Sequence, residues 1–391
     1  MLPQSVLTGL PRRARWLMSE TVVGLHTPRD PRIGTDRLGF YALGGHVESP
    51  RQMLDELALA EEIGLGQAFI SERLNVKEAC ALSGAAGAVT DTIGITTAAT
   101  NINTRHPAIT AAFATTMHRL TGGRFTLGVG RGLRPQIAAM GLPQTTTAEL
   151  EEFAHLMRRL WHGETVLDYE GRLGNFPALK LDPGFHEDIP LATTAFGPAT
   201  LAMAGRAYDV VVLHTFFADD TVVRAVDTVR TAAEQAGRDP RSVTIWSCYA
   251  TVTDEVDDQT FIKKTVGRLA TYLQVYGDLL VKTNNWDPAL LERFRSSNVV
   301  SGLDGWADAV GDQETLERLR EVLPAEWLDC AATGSPTRCA ELVRRQFDLG
   351  VDGVIMHGAT PSELVSTTAA FEEIEEDARA GSSPCSEVHR A

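Results

Sequence analysis

The densest candidate chemistry lies in Gly128-Val129-Gly130-Arg131-Gly132, where glycines alternate with larger residues directly after a short apolar run. Glycines at such a turn let backbone amides approach a ligand closely, and Arg131 or Arg134 can add positive charge. The segment is not the dinucleotide fingerprint, because Leu133 stands where the third glycine would fall. A tight turn without a ligand is the competing reading. A second signal is Ala195-Phe196-Gly197-Pro198. Proline suits the first position of a helix, which places the amides of Phe196 and Gly197 at a helix N-terminus, a geometry that suits a phosphate. An ordinary strand-to-helix turn explains that segment equally well, but two anion-friendly turns on one face of a fold strengthen the ligand reading.

Other polar residues fall just beyond apolar runs: Glu72 and Arg73, Asn101, His214 and His357. Glu72 beside Arg73 reads first as a structural ion pair. His214 and His357 have the right chemistry for proton transfer near neutral pH, against the plainer reading of packed, hydrogen-bonded histidines. Met140, Phe153 and Trp161 read as core residues. No CxxC or HExxH spacing and no His-x-His pair after the first strand supports a metal site.

These residues need a frame that gathers strand ends. Apolar runs at 38–43, 67–71, 93–99, 124–129, 190–195, 209–213, 243–252 and 352–356 alternate with helical patterns. Ser49-Pro50-Arg51-Gln52 carries a helix start, and Gly64 a helix stop. Short, nearly continuous apolar strands separated by helices indicate a parallel sheet covered on its outer face. Eight strand–helix units match an α/β fold of the (β/α)8 TIM-barrel type, a single domain over 35–379, whose functional loops follow the strands' carboxyl ends. Between the seventh and eighth strands, 255–346 is a long, mostly helical insertion, expected to pack over that carboxyl face. The stretch from Tyr169 to Glu187 reads as loop. Residues 1–34 read as a poorly ordered extension, with Met18 an alternative start, and 380–391 as a mobile tail.

The composition narrows the partners. Of 391 residues, 36 are basic and 51 acidic, giving a formal charge of −15 that repels a phosphodiester backbone on average. Arg12, Arg13 and Arg15 are too short a basic cluster to reverse that. Five scattered cysteines, Cys80, Cys248, Cys330, Cys339 and Cys385, fit reduced thiols better than a disulfide framework. No signal-peptide pattern or apolar span occurs. The expectation is a cytoplasmic protein that binds a small molecule, with neither nucleic acid nor membrane as partner.

The spacing resembles the bacterial luciferase-like monooxygenase superfamily. The resemblance rests on Phe69-Ile70-Ser71-Glu72, Thr104-Arg105-His106-Pro107-Ala108-Ile109, Gly122-Gly123-Arg124-Phe125 running on to Gly132, Leu160-Trp161-His162-Gly163-Glu164 and Gly350-Val351-Asp352-Gly353-Val354. It extends from about Leu38 to Ile374 and points to the coenzyme F420-dependent oxidoreductase branch. It implies a barrel with F420, or alternatively FMN, at its carboxyl face. It further implies a cis peptide at Thr97-Ala98 against the cofactor ring, cofactor contacts from Thr97, Ala98, Asn101, Gly130, Arg131, Gly132, Phe196 and Gly197, and a homodimer. In sugar-phosphate dehydrogenases of that branch, a histidine and a glutamate serve as acid and base where this chain carries Arg73 and Leu133. Arginine does not shuttle protons at neutral pH. The catalytic candidates are therefore Arg73, Glu72, His214 and His357. The expected activity is hydride transfer between the deazaflavin C5 and a small organic substrate. An FMN-dependent monooxygenase and a non-catalytic deazaflavin carrier or sensor are the alternatives.

Overall fold

A computed structural model describes residues 33–382, apart from 74, 75 and 183, with the side chains of 380–382 left aside. Most of the expected N-terminal extension and C-terminal tail, and Met18, lie outside the described residues. Eight parallel strands form the frame: β1 (Leu38–Tyr41), β2 (Gln67–Ile70), β3 (Gly94–Thr97), β4 (Phe125–Gly130), β5 (Leu191–Ala195), β6 (Val210–Leu213), β7 (Thr244–Thr253) and β8 (Gly353–His357). Each pairs with the next in chain order, and β8 returns to β1 through Leu38 against Val354 and Gly39 against Ile355, which closes a TIM barrel. The apolar runs of the sequence thus sit within about two residues of the observed strands.

Alternation along the strands separates two cores. Outward residues such as Leu38, Phe40, Ile95 and Leu127 are buried under the surrounding helices. Inward residues Phe69, Ala98, Val212, Trp246, Cys248 and Ile355 form a separate cluster that fills the barrel. Phe69 meets Trp246 edge-on at 5.1 Å between ring centroids. The interior is therefore a packed plug, and chemistry is confined to the rim.

Local signals explain the main helices. Helix Thr147–Trp161 starts with a full capping box between Thr146 and Glu149. The Arg105-His106-Pro107 motif makes a helix start: His106 Nδ1 accepts from the Ala108 amide, and Pro107 is the first residue of helix Pro107–Leu120. Arg124 of the Gly-Gly-Arg-Phe motif donates to the carbonyls of Thr90, Thr121 and Ile93 near the opposite end of β4. That motif is structural. Ser49 does not cap its helix directly, because the helix begins at Gln52; its hydroxyl instead accepts from the Arg51 amide within the preceding turn.

Three segments differ from expectation. Val166–Gly171 and Gly174–Leu179 pair as an antiparallel hairpin where a loop was expected. Pro177 is tolerated there because a two-stranded hairpin leaves one edge of each strand unpaired. The 255–346 segment is helical as expected but also holds a short strand, Ala332–Gly334, paired with Thr251–Thr253. The final helix, Pro361–Ser382, runs into the 380–391 segment that was expected to be a mobile tail. Phe153 and Trp161 are buried, whereas Met140 is 37% exposed, because the helix before it, Arg134–Ala139, is short and lies on the surface.

Candidate active site

The carboxyl ends of β3, β4 and β5 build one side of the rim. Strand β3 pairs with β4 through Ile95–Phe125 and Thr96–Thr126, and pairing resumes at Thr100–Val129 and Asn101–Gly130. The β3 side therefore carries one extra residue between the two registers, a β-bulge. Gly128 makes the bulge possible: a Cβ there would stand 1.7 Å from the Thr97 carbonyl oxygen. The Thr97 hydroxyl donates to the Gly128 carbonyl at 2.8 Å and accepts from its amide at 2.7 Å. A cis peptide occurs in this bulge, but between Ala98 and Ala99 rather than Thr97 and Ala98. Thr97 is still held in the ladder opposite Ile70, so the irregular backbone begins one residue later than expected.

Next to the bulge, Asn101 has a buried Oδ1 with no hydrogen-bond partner. Gly132, at φ +69°, passes so close that a Cβ would meet Asn101 Nδ2 at 2.8 Å. Gly130 is likewise tight, with Thr194 Oγ1 and Ala99 Cβ within about 3 Å of any added methyl group. Gly197 caps helix Pro198–Ala207 in an extended conformation (φ −98°, ψ 165°) with no side chain bonded to the helix start. A Cβ at Gly197 would meet only Leu279 Cδ1, at 3.9 Å, so the turn is open. Arg131 joins these two regions: its Nη2 donates to Thr200 Oγ1 at 3.1 Å and also to Thr147 Oγ1. The two anion-friendly turns of the sequence thus converge, with a cation fixed beside a helix start. An unpartnered amide oxygen, a glycine-lined surface and a cationic helix N-terminus fit a planar ring carrying a phosphate tail.

The opposite side of the rim is aromatic. Helix Arg268–Asn284 belongs to the insertion and lies over the strand ends, as expected for that segment. Residues 268, 272 and 276 follow one another at i, i+4 spacing and therefore share a helix face. Tyr272 lies 5.1 Å from the His214 ring and 6.3 Å from His357; Tyr276 lies 5.4 Å from His214. Phe196 packs on His214 at 4.1 Å, and Tyr41 meets His357 edge-on at 5.5 Å. Arg268, Tyr272 and Tyr276 were not among the candidates from sequence; their helical spacing within the insertion was the available signal.

Burial and the nearby guanidiniums set the electrostatics. Burial lowers the His214 pKa to about 4. Burial, then the charge of Arg268, then His214 and Arg73 hold His357 well below its ordinary value. Both imidazoles are therefore held in the neutral form at pH 7. Burial raises Tyr41 and Tyr272, and pushes Tyr276 and Cys248 up to about 12. Neutral phenols and neutral imidazoles therefore share the rim.

Glu72 is not paired with Arg73. Its carboxylate bonds the guanidinium of Arg105 and accepts from the Thr100 hydroxyl at 2.6 Å. Arg105 reaches Glu78 as well, so Glu72 is held in a partly buried network. Among the described residues, the Arg73 side chain bonds the Glu72 carbonyl at 3.2 Å and makes no salt bridge. No group of His, Cys, Asp and Glu able to hold a metal ion occurs among the described residues. No described helix is long and apolar enough to cross a membrane.

Known proteins resemble this chain in sequence and in fold. A 5,10-methylenetetrahydromethanopterin reductase of Methanolobus tindarius is 27% identical over 307 residues, 76% of this chain and 87% of that protein. A phthiodiolone/phenolphthiodiolone dimycocerosates ketoreductase of Mycobacterium tuberculosis is 30% identical over 325 residues, 81% of this chain and 82% of that protein. The coenzyme F420-dependent tetrahydromethanopterin reductase of Methanopyrus kandleri superposes with a TM-score of 0.71 at 20% identity, over 86% of this chain and 99% of that one. Monooxygenases also stand among the structural neighbours, one of them solved with FMN. The sequence pattern of luciferase-like monooxygenases matches residues 25–353, and the chain belongs to that family of oxidoreductases.

Proposed function

We propose that this chain is a coenzyme F420-dependent oxidoreductase acting on a small organic substrate. When bound, the deazaflavin would accept or supply a hydride at C5, chemistry that belongs to the cofactor rather than to the protein. The observation that carries the reading is the convergence at Arg131. The Gly130–Gly132 loop, the open Gly197 turn and the bulge with its unpartnered Asn101 Oδ1 meet in one place. In this reading Thr97, Ala98 and Asn101 back the ring, Gly130 and Gly132 keep side chains out of its way, and Phe196, Gly197 and Arg131 hold the phosphate. Reductases of two kinds among the sequence relatives, one of them sharing its activity with an F420-dependent solved neighbour, support the deazaflavin.

The substrate would then lie between that surface and helix Arg268–Asn284. His214 keeps its ring proton on Nδ1, which donates to the Thr215 carbonyl at 2.9 Å, so the neutral ring offers Nε2 as an acceptor. Glu72, fastened to Arg105 and Thr100, holds the β3 bulge rather than moving protons. Arg73 orients an oxygen of the substrate or cofactor. An FMN-dependent monooxygenase is the second reading, supported by the FMN-bound structural neighbour. Fluorescence titration of the purified protein with oxidised F420 and with FMN separates the two: selective low-micromolar F420 binding supports the first, and selective FMN binding the second.

A further inference from the structure

The hairpin Val166–Gly171 and Gly174–Leu179 lies outside the barrel, and its tip meets the starts of helices Pro107–Leu120 and Thr147–Trp161 around a groove of about 500 Å³. That volume is in the range of small-molecule sites. None of the residues assigned above to the cofactor lines it. Ile102, Pro107, Leu173 and Phe176 supply apolar wall. Phe176 belongs to a row of rings, edge-on to His106 at 4.9 Å and stacked on Tyr169 at 5.6 Å between centroids. The wall is tied together without a ligand. Asn103 Nδ2 donates to the Pro143 carbonyl at 2.7 Å and to Thr145 Oγ1 at 2.9 Å, and the Thr104 hydroxyl donates to the Asn101 carbonyl at 3.1 Å.

Two of the charged groups in the lining are already engaged. Arg105 is held by Glu72 and Glu78, and Glu149 closes the cap of its own helix by accepting from the Thr146 amide. Arg172 differs: its side chain is 64% exposed, and its Nε stands 3.7 Å from Glu152 Oε2, beyond hydrogen-bonding range. Its backbone amide donates to Glu152 Oε1 at 3.0 Å, which fixes the hairpin tip and keeps the residue at the groove. A guanidinium is a planar fork that bonds a carboxylate through two parallel contacts, and the apolar, ring-bearing wall beside it suits a flat apolar body. A second negative charge would find no other open guanidinium in the lining and would face Glu149. We propose that this groove is a second ligand site, separate from the cofactor site, that takes an aromatic monocarboxylate. Thr104 both lines the groove and bonds Asn101, so a ligand seated there steadies the backbone of the β3 bulge. The site is therefore an effector site rather than a substrate pocket.

The test uses benzoate as the probe, titrated calorimetrically into the purified full-length chain, with hydrogen exchange followed on the same samples. Saturable binding is the expected result, tighter by about tenfold or more than that of neutral benzyl alcohol or dianionic phthalate. Amide exchange should slow in peptides spanning 100–109 and 168–176, which carry the groove wall and the bulge. Arg172→Gln should weaken benzoate by about tenfold or more, the scale of a lost charge-assisted contact. Its thermal midpoint should stay close to the parent's, because the backbone contact to Glu152 remains. No saturable binding up to the probe's solubility limit, phthalate binding as tight as benzoate, or an affinity unchanged in Arg172→Gln would each overturn the site. Protection confined to the loops at 128–134 and 195–200 would place benzoate in the barrel mouth and overturn it equally. No step of the test depends on F420, so failure of the cofactor reading and failure of the groove are seen separately.

Discussion

Arg131 and Thr200 are joined by a 3.1 Å hydrogen bond from Nη2 to Oγ1, which fastens the loop after β4 to the first turn of the helix after β5. Burial and the neighbouring Arg134 lower the Arg131 pKa, but a guanidinium stays charged throughout the working range. The consequence is a permanent cation at a helix start. Arg131→Met should weaken binding of a phosphate-bearing cofactor by about 10- to 100-fold, the scale of a lost charge-assisted contact of roughly 1.5–3 kcal/mol. Stability should change little, since the residue is exposed. Isothermal titration beside a melting curve checks both parts.

Gly197→Asp should cost cofactor affinity more than folding. The residue has an ordinary extended backbone, and a Cβ there meets only Leu279, so no strain accompanies the substitution. Its carboxylate would oppose a bound phosphate across a few Å of partly desolvated space, at about 1–4 kcal/mol or up to a thousandfold in affinity. Unchanged affinity in the folded variant would place the phosphate elsewhere on the rim.

Glu72→Gln should destabilise the protein by about 1–3 kcal/mol, less than a fully buried pair, because Glu72 and Arg105 keep some exposure. The double variant with Arg105→Met should lose less than the sum of the single losses, the sign of direct coupling. Denaturant midpoints of the three variants measure this. A fall in turnover at unchanged stability would instead make Glu72 a catalytic group.

Acid should weaken the fold through His214. Its folded pKa of about 4 lies below the unfolded value near 6.5, so between those pH values the unfolded chain binds more protons. Stability is therefore lost as pH falls from about 6.5 toward 4, by roughly 1–3 kcal/mol for this residue. His214→Gln should flatten that part of the stability profile, and an identical slope in the variant would show that the imidazole is not buried in its neutral form.

Much of the frame is legible in the sequence because the strands are short apolar runs bounded by glycine, proline and polar residues. The closed barrel follows from their number. The Gly130–Gly132 and Phe196–Gly197 turns are legible for the same reason, since backbone chemistry announces itself in residue type. What escapes is set by distant packing. The Glu72–Arg105 pair spans 33 residues, and nothing local favours Arg105 over the adjacent Arg73. Tyr272 and Tyr276 become rim residues only because their helix folds back over the barrel. The position of the cis bond depends on which residue last holds the ladder to β2, and Thr97 still does so opposite Ile70.

The most direct test of the cofactor assignment is a competitive titration of the purified protein with oxidised F420 and FMN, read by fluorescence, in parent and Gly197→Asp forms. Low-micromolar F420 binding to the parent, at least tenfold tighter than FMN and lost in the folded variant, is the expected result, a tenfold ratio being about 1.4 kcal/mol. Tighter binding of FMN than F420, or F420 binding that is indifferent to Gly197→Asp, would contradict a deazaflavin site built on the Arg131 cradle.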